Sequence, residues 1–200
     1  MKEMRVILPS IERPKKLPVV LGHNEVRQLL KAPKLLKHRL VLAMLYGCGL
    51  RSFELCNLQL KDLDLERMML HIRQGKGRKD RYVPLCAMQV RGLRKYISAE
   101  RPVTWCFNGN DSKGDPVALS TTGVQWIVRE ARKHSGIQKE VTTHSLRHSY
   151  ATHLLEMGLD IISVKDLLGH ADIQTTLTYL HVAQLGRQRP FSPLERLYNK

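Results

Sequence analysis

Thr143-His144-Ser145-Leu146-Arg147-His148 opens the stretch that decides how this chain folds, because residues with helical spacing follow it. Leu154, Leu155 and Met157 supply an apolar face before Gly158 ends the run. Thr142 or Thr143 can cap this helix, and His144 and Arg147, three residues apart, then share one of its faces. An arginine fork grips two non-bridging phosphate oxygens, and an imidazole beside it can exchange a proton, so the pair suits phosphoryl transfer. Taken alone, it reads more readily as a solvated helix face, where structural pairs of this type are common. His148 lies four residues after His144, and His153 follows, which raises a metal reading. Ser145 stands where a zincin needs glutamate, and no complete ligand set is evident nearby, so no metal site is expected.

Downstream, Asp160 can cap a second helix that ends at Gly169, within Leu167-Leu168-Gly169-His170. Nine residues beyond His170, after a short helix starting at Asp172, comes Tyr179. Alone, Tyr179 reads as an amphipathic packing residue and His170 as a post-helix turn residue. A tyrosine becomes a useful nucleophile only among cations and with a base in reach, and a cluster of arginine and histidine would provide both. Far upstream, Tyr46-Gly47-Cys48-Gly49-Leu50-Arg51-Ser52-Phe53-Glu54-Leu55 has two glycines that free the backbone to present Arg51 at a helix start. Glu54 can pair with an arginine there, or simply be a favourable acid in a first helical turn.

Helices are expected over residues 25–32, 36–46 and 87–98, with a short one from Ser52 and another running from a Ser120 cap to about His134. Strands are expected at 68–73 and 81–84, flanking the turn Gly75-Lys76-Gly77-Arg78-Lys79, with 108–116 as a loop. The fold class is therefore mainly α with a small antiparallel β-sheet (α+β). Residues 1–21, rich in proline and lysine, read as a linker or arm, 22–183 as the domain proper, and 184–200 as a C-terminal tail. The longest uncharged apolar run, residues 40–50, is interrupted by Gly47 and Gly49 and is too short to cross a bilayer, so no membrane association is expected.

With 33 Lys plus Arg against 18 Asp plus Glu, the chain carries a formal charge of +15, which points to a polyanionic partner, nucleic acid first. The 42% hydrophobic content excludes a disordered basic tail. The four cysteines lack C-x-x-C spacing and no leader with a cleavage site is evident, so the expected location is the reducing cytoplasm.

The segments occur in one order: G-x-G-L-R-x-x-E, a basic hairpin, H-x-L-R-H-x-x-A-T-x-L, L-L-G-H and a late tyrosine. From about Lys16 to Val182 the chain resembles the tyrosine recombinases, the phage integrase family, in particular its Xer-like members. That resemblance implies the tyrosine recombinase catalytic-domain fold, with Arg51 and Arg147 holding the scissile phosphate and His144 as the base near the nucleophile Tyr179. It makes His170 the second histidine on the phosphate and Glu54 an accessory, structural acid. Lys76 becomes the general acid for the leaving 5′-hydroxyl, with Lys79 as the alternate. Arg73, Arg78, Lys79 and Arg81 then serve as DNA-backbone contacts. It implies double-stranded DNA as partner, no cofactor, no metal, and a tetramer on DNA or a helper recombinase. It also implies that the family's N-terminal core-binding domain is absent from these 200 residues. A topoisomerase IB-like relaxer and a DNA-binding remnant without turnover are the rival expectations.

Overall fold

A helix that is apolar on every side has to lie inside the molecule. Leu40, Val41, Leu42, Met44 and Leu45 are all buried in helix α2, Leu36–Gly47, which forms the centre of the domain. The computed structural model describes residues 18–73, 80–180 and 182–183. Lys76, Arg78 and Lys79, the first part of the expected arm and the expected tail lie outside the described residues.

Around α2 pack α1 (His23–Lys31), α3 (Ser52–Cys56), α4 (Ala87–Glu100), α5 (Thr121–Ser135) and α6 (Thr143–Glu156). Helix α1 starts two residues earlier than its apolar spacing suggests because the Glu25 carboxylate accepts from the Gly22 N–H at 2.7 Å and closes the first turn. Helix α5 is capped by Ser120, whose hydroxyl accepts from Gly123 N–H, and α6 by Thr142, which accepts from Ser145 N–H. Two shorter helices follow: α7 (Ile161–Leu168), capped by Asp160, and α8 (Gln174–Leu177).

The expected hairpin is present as β2 (Met69–Ile72) and β3 (Arg81–Pro84), antiparallel, with Leu70 opposite Val83 and His71 opposite Tyr82. A two-residue strand, β1 (Leu63–Asp64), adds to its edge with Leu63 opposite Leu70. The stretch expected as a loop contributes β4 (Asn108–Asn110) to a small ribbon with β5 (Pro116–Ala118). Leu70, Ile72 and Val83 face the α2 core, while Tyr150, Leu155, Val164, Leu168 and Tyr179 form a smaller apolar cluster where α6, α7 and α8 meet. No helix among the described residues is long and apolar enough to cross a membrane.

Candidate active site

Gly49 makes the corner between α2 and α3 possible. It has φ +59°, and a Cβ there would lie 2.4 Å from the Tyr150 ring, so only glycine fits. Beyond the corner Arg51 precedes α3, and Glu54 reaches back to it, accepting from the Arg51 backbone N–H and from its guanidinium, both at 2.9 Å.

Glu54 is the hub of the arrangement. Its two carboxylate oxygens accept two hydrogen bonds from Arg81, at 2.9 and 2.8 Å, and Arg147 lies 3.9 Å away. Burial would raise the carboxyl pKa, but the Arg81 hydrogen bonds and charge, the Arg51 N–H and the Arg147 charge together hold it below the ordinary value. Arg81 is a correction to the sequence expectation. Instead of facing DNA from the hairpin it is 8% exposed, with its fork on Glu54 and its Nε donating to the Leu167 carbonyl. Arg73 is half-exposed and its Nε donates to buried Asp62.

Arg147 lies one turn into α6 and is 3% exposed. It donates to the carbonyls of Gly49 and Leu168, acceptors that the ends of α2 and α7 leave without helical partners. Arg51 donates more weakly to the same Leu168 carbonyl, at 3.4 Å. Burial, with Arg51 close by, lowers the Arg147 pKa to about 10, which still leaves it cationic at neutral pH. Three guanidinium groups thus surround one carboxylate, and the surplus positive charge is what an anion would neutralise.

Tyr179 follows α8 and is 3% exposed; its hydroxyl lies 3.0 Å from His148 Nδ1. Burial pushes the phenol above its ordinary pKa, and the charges of Arg147 and Arg51 pull it back only partway. Burial, then the charges of His144 and Arg147, bring His148 down to about 4, so at neutral pH its imidazole is uncharged and can accept the phenol proton. His170, just beyond the left-handed Gly169 that ends α7, is anchored through Nδ1 to Thr176 Oγ1 at 2.9 Å. Its ring lies nearly parallel to Tyr179, with centroids 6.3 Å apart.

The fold therefore gathers Arg51, Glu54, Arg147, His170 and Tyr179. His144 is exposed on α6, its ring centroid 6.3 Å from that of His148. The histidine that the fold places against Tyr179 is His148, which the sequence reading weighed only as a metal ligand; it lies one turn after His144 on the same face. Lys76, Arg78 and Lys79 belong to the segment outside the described residues.

This architecture is that of a tyrosine recombinase catalytic domain. The chain belongs to the phage integrase family, whose model matches residues 19–185. The tyrosine recombinase XerA of Thermococcus onnurineus is 40% identical over 171 residues, covering 84% of this chain and 60% of that protein. A crystal structure of XerA recombinase superposes with a TM-score of 0.75 at 31% identity, covering 96% of this chain and 66% of the other. XerH site-specific recombinase bound to palindromic difH substrate, in a post-cleavage complex, gives a TM-score of 0.72 at 27% identity, with coverages of 92% and 53%. The chain spans about six tenths of the length of most of the curated relatives it matches.

Proposed function

We propose that this chain cleaves and rejoins DNA at specific sites through Tyr179, working on paired duplexes as a tetramer or with a helper recombinase in the cytoplasm. One observation carries the reading: the Tyr179 hydroxyl rests against a neutral histidine beside two cationic arginines. An acceptor for the phenol proton is in hydrogen-bond contact with this oxygen, and the charges of Arg147 and Arg51 act on it.

In the proposed step the phenol proton passes to His148 or His144 as Tyr179 Oη attacks phosphorus. The P–O bond to the 5′ oxygen breaks, that oxygen takes a proton and leaves as a 5′-hydroxyl, and a 3′-phosphotyrosine remains. Arg51 and Arg147 stabilise charge on the equatorial oxygens, with His170 hydrogen-bonding the phosphate. Lys76, or Lys79, donates the leaving-group proton on the strength of the resemblance. A 5′-hydroxyl from the partner duplex reverses the sequence, so bond energy is conserved and no nucleotide is consumed. XerH, at 27% identity, has been captured on DNA after cleavage, which supports the same chemistry here. The four cysteines are unpaired, as suits a reducing compartment.

Incubation with nicked, labelled suicide duplexes carrying candidate sites, followed by denaturing gels, tests the proposal. A covalent adduct is expected from the native chain and none from Tyr179→Phe, with DNA binding largely kept. An adduct that survives Tyr179→Phe overturns the nucleophile. His148→Ala is expected to slow adduct formation by about 100-fold, in line with general-base contributions; a native rate in that variant returns the role to His144.

A further inference from the structure

Three potential metal ligands meet near the C-terminal end of α6. His23 is the first residue of α1, while His153 and Glu156 are three apart in the last turns of α6 and share a face. One donor atom from each lies within 4.8 Å of the others. We propose that His23, His153 and Glu156 bind a divalent transition metal of the zinc class, tying the start of α1 to the end of α6.

The arrangement around His153 is what a ligating histidine needs. His153 is 4% exposed, and Tyr46 Oη lies 2.8 Å from its Nδ1, a contact that fixes the ring's orientation. Such a partner on the non-ligating nitrogen is the usual support for a metal-bound imidazole. The Tyr46 ring meets the His153 ring edge-on at 5.8 Å, and the His23 ring lies over it with centroids 4.0 Å apart. Zinc bonds of about 2.0–2.2 Å in tetrahedral geometry place ligand atoms roughly 3.4 Å apart. Closing from the present spacing takes side-chain rotation, which exposed His23 and partly buried Glu156 can supply without moving buried His153. Water would complete the coordination.

His153 lies five residues along α6 from His148 and nine from His144, about 7.5 and 14 Å at the helical rise, so the ion would touch none of the reacting groups. The ion is therefore structural, stiffening the helix that carries His144, Arg147 and His148. The sequence reading expects no metal site on this helix; Glu156, three residues past His153, and His23 are ligands it did not count.

The test is titration of the whole, metal-stripped chain with Zn²⁺ by calorimetry and with Co²⁺ by visible absorption, together with thermal melts. Expected are one ion per chain, a Co²⁺ ligand-field band displaced by Zn²⁺, and a Tm rise of about 5 °C at zinc a hundredfold above Kd. His23→Ala, on an exposed side chain, and Glu156→Gln should each weaken binding by about tenfold or more. His144→Ala should leave it unchanged. An unmoved Tm with no Co²⁺ band overturns the proposal and leaves two stacked imidazoles beside a carboxylate. Binding that survives His23→Ala but is lost in His144→Ala also overturns it, placing the ion on the His144/His148 pair.

Discussion

Glu54 sits beneath Arg51, Arg81 and Arg147, and its carboxylate is the only acid paired with them among the described residues. Removing its charge while keeping its shape leaves buried Arg81 and Arg147 without a counter-charge. Glu54→Gln is therefore expected to lower unfolding free energy by about 3–5 kcal/mol in urea melts. The same pairing sets an acid limit on the fold. The folded pKa of Glu54 lies below its unfolded value near ~4.3, so its contribution is complete above that value and disappears as pH falls through the folded pKa. His148 acts in the same direction: with a folded pKa of about 4 against an ordinary 6.5, it binds its proton more readily when unfolded, so acidification through that window draws stability away. Stability should fall monotonically below pH 6.5 in the native chain, and the fall below about pH 4.3 should flatten in Glu54→Gln. A profile unchanged by the substitution would remove Glu54 as the hub.

Helix ends do much of the positioning. Arg147 reaches the Gly49 and Leu168 carbonyls because α2 and α7 both stop beside it, and each stop depends on a glycine with positive φ: Gly49 at +59° and Gly169 at +62°. A Cβ on Gly169 would meet Arg81 Nη1 at 2.9 Å, so this end of α7 is packed against the hub as well. Gly49→Ala adds backbone strain and a clash with the Tyr150 ring, and is expected to destabilise by about 3 kcal/mol or more. Gly136→Ala is the control, since its φ of +74° is strained but nothing lies within 4 Å of the added methyl; a loss of about 1–2 kcal/mol is expected. Equal losses in denaturant midpoints would show that packing at the α2–α3 corner contributes nothing. These ends were legible in the sequence as glycine punctuation. The β4–β5 ribbon was not, because Asn108, Gly109 and Asn110 show no alternation of apolar residues and the pairing rests on backbone bonds alone.

Across the whole molecule the formal charge of +15 dictates how DNA would be held. If about five cationic side chains meet phosphates, the logarithm of the affinity should fall with the logarithm of salt at a slope of about −4.5. Fluorescence anisotropy with a labelled duplex between 50 and 200 mM salt should then show a loss of several hundredfold, roughly as this slope requires. A slope near zero would contradict a phosphate-dominated interface. Arg81 is excluded from that count because its fork is spent inside the protein, and only the structure could show this: in the sequence it is one more base beside a basic turn.

The chain's local patterns by themselves determined the helical frame, the central hairpin, the basic character and most of the residues at the site, since apolar spacing, caps and glycines act over a few residues. Motif order then linked Arg51, Arg147, His170 and Tyr179. What tertiary structure alone decided was partnership: that Glu54 binds Arg81 rather than only Arg51, that Tyr179 meets His148 rather than His144, and that His23 joins His153 and Glu156. Each of these depends on helices separated by tens of residues packing at one angle and register, and that geometry comes from the burial of the shared core around α2, which no local pattern contains.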